Sequence, residues 1–353
     1  MKVLQICAYS ARYGGNFIAS LSVLEQQLSA KGIQTEYLFP EIAREMPWCQ
    51  ELQKRTTVYF ASLNRFSLKT YSEVARAMAE ADVVHSHFEL YDCLTVLAKK
   101  RQQKLFWHLH DSFEEHIDFP HRVINKIQYG FLGKRAMLIS PSAYYADYVT
   151  RLGFPKQQIF HVANCIDFDR LHREAPKQQI YDFLIFGGFY YIKGLDVLLD
   201  SCRILLQRGF RFRVAIVGYE DTWRFIQNQY SELLPYICQL EPSENVSQFY
   251  LNSGTFLSTS RRECFSYALL EALYMGMPAI ISDIPGNAWA GEYASTLVVP
   301  GENAQALADA MQLRITGSPW FKEEDLHDTA RDVAARYSAD QWAQRIEEIY
   351  IDG

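Results

Sequence analysis

Thr255-Phe256-Leu257-Ser258, followed after a short polar link by Arg262-Glu263-Cys264-Phe265-Ser266-Tyr267-Ala268-Leu269-Leu270-Glu271-Ala272, reads as a strand, a loop and the start of a helix. Ser266 suits a helix N-cap, and Ala268, Leu269, Leu270, Ala272 and Leu273 are strong helix formers. Glu263 therefore precedes the helix and Glu271 sits on it, eight positions later. A helix N-terminus offers orphan N–H groups and the positive end of a dipole, which suit a phosphate, while the two carboxylates suit hydroxyls. A sugar nucleotide carries both kinds of group. The plain alternative is a solvated loop acid and an exposed helical glutamate, and the local pattern alone does not separate the two.

The same strand-then-helix alternation runs through both halves of the chain and points to two parallel-sheet α/β units. In the first half, strands are expected at Val3–Tyr9, Thr35–Phe39, Val58–Phe60, Asp82–His87, Lys104–Leu109, Ala136–Ser140 and Ile159–Ala163, with a helix from Phe17 to Ala30. A polar link, Asp167–Gln179, separates these from strands at Tyr181–Phe186 and Arg211–Val217 and near Tyr236, Thr255, Ala279 and Leu297, with a helix over Gly194–Gln207. At 353 residues the chain exceeds one ordinary core, so two domains are expected, 1–168 and 169–337, with a helix in 338–353. That last helix carries Trp342, Ile346, Ile349 and Tyr350 at helical spacing.

Composition narrows the partners. Lys plus Arg number 20 against 17 Asp plus Glu through residue 170, and 15 against 24 after it, so a mildly basic front half is joined to an acidic back half. The acidic total, with no basic stripe interleaved with aromatics, argues against nucleic acid. Lys99-Lys100-Arg101 with Lys104, and Arg122, Lys126, Lys134 and Arg135 among Ile124, Ile127, Phe131 and Leu132, form a face that could lie on anionic lipid; an ordinary solvated helix face is the plain alternative. Seven scattered cysteines without a Cys-x-x-Cys pair read as reduced thiols. The N-terminal apolar stretch is too short for a secretory signal, and no run approaches a membrane span. A cytoplasmic protein is expected, at the inner face of the membrane if the basic face meets lipid.

Loops after parallel strands are where ligands bind. Gly14-Gly15 opens the first helix and would let backbone approach a ligand closely, though two glycines alone also make a simple turn. In Phe186-Gly187-Gly188-Phe189-Tyr190-Tyr191-Ile192-Lys193-Gly194-Leu195, a lysine at the first turn of a helix opposes the dipole by roughly 0.3 to 1 kcal/mol, a penalty that a bound anion removes. His85 and His87 share one face of a strand, and His108 and His110, followed by Asp111, share one face of the next. Four imidazoles raise a zinc site as the sharp alternative, but no carboxylate or cysteine stands at ligand spacing, and no metal or other cofactor is expected.

Glu263 through Ala272, continued by Gly276-Met277-Pro278-Ala279-Ile280-Ile281-Ser282-Asp283, resembles the signature of the retaining family-4 glycosyltransferases: a glutamate, seven residues, a second glutamate and Ala. Lys193-Gly194 is similar to the end of that family's phosphate motif, Asp-Val-Val-His-x-His and His-Asp to its first-domain pattern, and Asn164-Cys165-Ile166-Asp167 to its Asn-Gly-Ile-Asp. The resemblance implies a GT-B fold: two Rossmann-like domains facing across a cleft, acceptor in the first, nucleotide sugar in the second, and the C-terminal helix crossing back to the first. It implies hexosyl transfer from a nucleotide sugar, UDP favoured and GDP admitted, to a glycan or lipid-linked saccharide in cell-surface polysaccharide assembly. His110, Lys193 and Glu263 are the implied catalytic residues. Donor contacts fall on Gly14, Gly15, Gly188, Arg262, Cys264, Phe265, Ser266 and Glu271, and acceptor contacts on Asp111 and Asn16. Arg261 or Arg262 would assist Lys193 at the leaving group. The chain departs from the pattern where Gly188 replaces the usual arginine and where Cys165 and Cys264 replace glycines. Two rivals follow from those departures and from the fold: a sugar-nucleotide epimerase, which needs no acceptor, and a nucleotide-binding relative without turnover.

Overall fold

A computed structural model describes residues 1–110, 112–113, 119–173 and 178–352. Asp111 lies outside the described residues. The chain divides into two compact units, one made of Met1–Cys165 with Ala339–Gly353, the other of Ile166–Ser338.

The first unit is built on a seven-stranded parallel sheet: β1 (Lys2–Cys7), β2 (Gln34–Pro40), β3 (Val58–Ala61), β4 (Val83–His87), β5 (Lys104–His108), β6 (Met137–Ser140) and β7 (Ile159–His161). Its order is β3-β2-β1-β4-β5-β6-β7. The continuous apolar run of β1, with Val3, Leu4, Ile6 and Cys7 all inaccessible, is what a strand covered on both faces requires. One cover is the Gly15–Ala30 helix, and the Ala339–Asp352 helix packs beside it, burying Ala343, Ile346, Ile349 and Tyr350. Glu347, almost inaccessible on that last helix, accepts from Gln27 Nε2 at 3.0 Å and pairs with Lys31 Nζ at 2.6 Å. Lys104 Nζ donates to the carbonyls of Tyr350 and Ile351, where a cation suits the helix C-terminus. The C-terminal helix thus belongs to the first unit.

The second unit repeats the scheme with six parallel strands: β8 (Tyr181–Phe186), β9 (Val214–Val217), β10 (Ile237–Leu240), β11 (Ser253–Ser258), β12 (Ala279–Ser282) and β13 (Thr296–Val299), ordered β10-β9-β8-β11-β12-β13. Strand ends differ from expectation by at most three residues, and the largest shift is at the start of β9. β9 starts at Val214 because Asp182 Oδ2 accepts from the Arg213 amide and ends the ladder there. β10 starts at Ile237 because Ser231–Tyr236, which contains Pro235, is a 3₁₀ turn. Both sheets are Rossmann-like, and each reverses direction once, between β1 and β4 in the first and between β8 and β11 in the second. Those switch points, at the carboxyl ends of the strands, are where an open parallel sheet leaves a crevice for ligand.

Candidate active site

The loops flanking the second switch point are the two glycine- and glutamate-bearing segments. After β8 the chain turns through residues 187–194 into the Leu195–Gln207 helix, and after β11 it runs through residues 259–266 into the Tyr267–Tyr274 helix. They are laced together. Arg261 N donates to the Ile192 carbonyl at 2.8 Å, and Thr259 Oγ1 to the Lys193 carbonyl at 2.7 Å. Gly194 makes this possible: its φ is +62°, and a Cβ there would overlap the Thr259 carbonyl. The Lys193 side chain is brought to Glu263, Nζ to Oε1 2.5 Å, and Ser260 Oγ donates to the same oxygen at 2.8 Å. A small cavity between the loops is lined by Phe186, Lys193, Ser258, Ser260, Glu263 and Ser266.

Ser266 caps its helix as expected, accepting from Leu269 N at 3.4 Å. Glu271 is not an exposed helical glutamate; it is buried, with Oε1 3.3 Å from Arg170 and Oε2 accepting from Tyr250 OH at 2.7 Å. Burial raises its carboxyl above the ordinary 4.5, opposed by Arg170 and Tyr250. Each oxygen keeps a second lone pair for a ligand hydroxyl. Cys264 and Phe265 are buried, Phe265 stacked on Trp289 with ring centres 4.6 Å apart. The Cys264 side chain therefore packs into the protein.

Arg261 is not available for a leaving group. Its guanidinium grips both Asp196 oxygens at 2.8 Å, Glu302 at 2.8 Å and the Tyr191 carbonyl at 2.7 Å. Arg262 is half-buried in the glutamate loop, two residues before Cys264. Gly188 has an ordinary φ, and a Cβ there would meet only the Tyr219 ring at 3.8 Å, so a side chain would fit. Three residues of the site carry no local sequence signal. Tyr250 and Arg170 reach Glu271 from 21 and 101 positions away, and Gly286 backs the glutamate loop so closely that a Cβ would overlap the Glu263 carbonyl.

At the first switch point the chemistry is neutral. Gly15 begins the helix after β1, and the Tyr9 hydroxyl donates to the Gly14 carbonyl at 3.1 Å. The Asn16 side chain is buried and donates to the Cys165 carbonyl, so it ties down the end of the unit. His87 and His108, paired in register at the ends of β4 and β5, stand among His85 and His110. His110 Nε2 lies 2.9 Å from His87 Nδ1, His87 Nε2 2.9 Å from Gln5 Oε1, and Gln5 Nε2 donates to Tyr350 OH, itself 2.6 Å from His85 Nδ1. Burial pushes all four imidazoles below their ordinary range, His108 to about 3, so they are neutral at physiological pH. His85, His87 and His108 bring ring nitrogens within 4.8 Å of one another. Yet His87 uses both nitrogens, and the His85 and His108 rings are stacked parallel at 5.2 Å. His85 Nε2 and both His108 nitrogens are buried without a hydrogen-bond partner. A polar cavity of about 660 Å³ opens elsewhere on this unit, but it is lined by Gln34, Thr35 and Val58 at the amino ends of β2 and β3, away from the switch point.

Two family models match: Glycosyltransferase Family 4 over residues 22–170 and Glycosyl transferases group 1 over residues 181–316. They leave unmatched the two ends and the 171–180 link. The D-rhamnosyltransferase WbpZ of Pseudomonas aeruginosa is 25% identical over 295 residues, 77% of this chain and 73% of its own. The GDP-mannose:cellobiosyl-diphosphopolyprenol alpha-mannosyltransferase of Xanthomonas campestris is 24% identical over 253 residues, 68% of this chain and 66% of its own. Among solved structures, Anabaena Alr3699/HepE in complex with UDP and glucose aligns over 100% of both chains with a TM-score of 0.81 at 14% identity, a likeness of fold. With a family-4 match on one sheet, a group-1 match on the other and both sheets parallel and Rossmann-like, the chain belongs to the family-4 glycosyltransferases and has the GT-B fold.

Proposed function

We propose that the protein is a retaining, metal-independent hexosyltransferase acting on a UDP- or GDP-sugar, with the donor in the second unit and a saccharide or lipid-linked saccharide acceptor in the first. The observation that carries this reading is Lys193, whose ammonium is delivered to Glu263 at a switch point and next to two helix N-termini. Donor diphosphate competes for that ammonium and for the helix amides, which hold the charge that grows as the sugar departs. Glu263 then accepts from donor-sugar hydroxyls and Glu271 from the ribose, each as an ionised acid without a donor of its own. In the first unit, neutral His110 is assigned to sugar transfer and Asp111 and Asn16 to the acceptor, Asn16 through its hold on Cys165.

This reading needs no carboxylate nucleophile: Glu263, beside Lys193, and Glu271, beside Arg170, are assigned to donor hydroxyls. Transfer with retention then proceeds on one face of the sugar. The bond from the anomeric carbon to the phosphate oxygen breaks, the acceptor oxygen bonds to that carbon, and the acceptor proton passes to the departing phosphate. The Xanthomonas relative is named for a diphosphopolyprenol-linked acceptor, which supports a lipid-linked saccharide and a place in polysaccharide or glycolipid assembly.

The test is calorimetric titration with UDP, GDP and ADP, with and without EDTA, followed by product analysis with the matching donor. Binding of UDP or GDP that EDTA leaves unchanged, and an α-linked product from an α-linked donor, are expected. Donor consumed without acceptor would make the protein an epimerase; binding without any turnover would make it a non-catalytic relative; loss of binding in EDTA would return the histidine layer to consideration as a metal site.

A further inference from the structure

One hydrogen-bonded line of side chains starts on the C-terminal helix and ends just beyond β5. Tyr350 OH meets His85 Nδ1 at 2.6 Å and Gln5 Nε2 at 3.0 Å, Gln5 Oε1 meets His87 Nε2 at 2.9 Å, and His87 Nδ1 meets His110 Nε2 at 2.9 Å. A neutral imidazole has one N–H and one bare nitrogen, and a side-chain amide has a donor end and an acceptor end. Burial keeps all three imidazoles neutral. Each link then holds a single hydrogen, so the donor at any one link fixes the donor at every other. The line has two self-consistent directions. In one, His110 donates to His87, His87 to Gln5, Gln5 to Tyr350 and Tyr350 to His85. In the other the Gln5 amide is turned over and every donor becomes an acceptor.

The link between Tyr350 and His85 decides the direction. Its 2.6 Å falls within the range of a hydroxyl donor, about 2.5 to 3.0 Å, and below that of an N–H donor to oxygen, about 2.7 to 3.2 Å. Tyr350 therefore donates to His85, and its oxygen accepts from Gln5. His110 in turn spends its one N–H, at Nε2, on His87. Its Nδ1 is left bare, buried and without a partner among the described residues. A buried acceptor without a donor costs stability that an arriving hydroxyl would return. The ring is also held in place, stacked on Phe88 with centres 4.4 Å apart and edge-on to Phe17 at 5.3 Å.

We propose that Tyr350 and Gln5 are positioning residues that act through His87 to fix the tautomer of His110, so that its Nδ1 can only accept a hydrogen bond, from a substrate hydroxyl. The place of that hydroxyl in sugar transfer rests on the function proposed above; the tautomer does not, and it is read without turnover. The measurement is nitrogen–proton correlation NMR of the imidazole rings in the full chain with isotope-labelled histidine, the His110 signal being the one that His110→Gln removes. Wild type should show His85, His87 and His110 all in the Nε2–H form. Tyr350→Phe, which keeps the packed ring and loses the hydroxyl, and Gln5→Met should each bring in a second, Nδ1–H population at His110, because the His87–His110 pair left to itself runs either way. Cooperative melts should show that both variants fold. In each, kcat should fall about tenfold with the KM for donor unchanged. A His110 that carries its proton on Nδ1 in wild type, or a tautomer indifferent to both variants, would overturn the proposal. A tautomer that shifts while kcat stays at the wild-type value would uphold the relay and overturn instead the place of His110 in transfer.

Discussion

The carboxyl ends of the two sheets meet the same geometric need with opposite chemistry. Each sheet reverses its strand order once and leaves a crevice there. In the first unit that end is lined by four imidazoles held neutral by burial and joined through Gln5 to Tyr350. In the second it carries a lysine and two glutamates, each paired with an opposite charge. A neutral layer can hydrogen-bond hydroxyls without attracting a diphosphate, whereas paired charges can be re-partnered by one. The difference teaches that the fold supplies two equivalent crevices and that side-chain charge distinguishes them, the charged one being the crevice proposed for the nucleotide.

The contrast breaks most visibly at Lys193. Lys193→Ala and Glu263→Ala should each lower kcat/KM on the order of a thousandfold with the melting temperature little changed, since both side chains are partly exposed. His110→Ala should cost less, about a hundredfold, because a neutral imidazole contributes a hydrogen bond and no charge. Steady-state kinetics with saturating acceptor measure all three. A His110 variant worse than the Lys193 variant would move the chemistry to the neutral crevice.

A second expected effect lies in the first unit, where a carboxyl is buried instead of paired. Asp92 has no hydrogen-bond partner of normal geometry on either oxygen, and burial pushes it up to about 7, against a smaller opposing pull from Ser86. A folded-state pKa above the unfolded 3.8 means that the fold favours the protonated form. Stability from this group is therefore intact below about pH 4 and declines as pH rises to about 7. Asp92→Asn should raise unfolding stability by about 4 kcal/mol at pH 8 and add nothing at pH 4. Urea melts at the two pH values check this; equal effects at both would show that Asp92 is not protonated in the fold.

Much of this architecture was legible in the sequence because parallel strands are apolar runs and the loops after them carry glycines and charges at fixed places. The strands from β1 to β13 fall where alternation puts them, and Lys193, Glu263 and Ser266 stand in the loops expected of them. What was not legible is pairing across distance. Helical spacing says that Glu271 sits on a helix but not that Tyr250 and Arg170 enclose it, and charge type says that Arg261 is a cation but not that Asp196 and Glu302 consume it. The same limit hid the link from Tyr350, 345 positions from Gln5, into the histidine layer.

Glu271 gives the third test, which sharpens the contrast by turning a paired charge into a buried, unpaired one. Burial already raises this carboxyl, and Arg170 opposes the rise. Arg170→Ala should raise it further, so that nucleotide binding, if Glu271 accepts from the ribose as proposed, weakens about tenfold at pH 7 and returns as pH is increased. Calorimetry across pH 6 to about 9 measures the shift. Binding that weakens equally at every pH would mean that Arg170 touches the nucleotide itself instead of acting through Glu271.

The smallest expected effect concerns the cation that this chain lacks. Gly188 occupies the place where an arginine is usual, yet its backbone is unstrained and a side chain would find only ordinary contact with Tyr219. The absence is therefore not imposed by packing. Gly188→Arg adds a permanent charge near Lys193, which repels it slightly in the empty site and helps it once a diphosphate is bound. Affinity for nucleoside diphosphate should rise about fivefold, with a steeper loss in salt than wild type shows. Titrations at two ionic strengths distinguish the outcomes. A gain that salt removes places residue 188 beside the diphosphate and means that the second unit binds with less charge than its fold can hold. An unchanged affinity would mean that the loop from Gly187 to Lys193 carries position 188 away from the phosphates, and that Lys193 with the helix amides is the whole of the anion site.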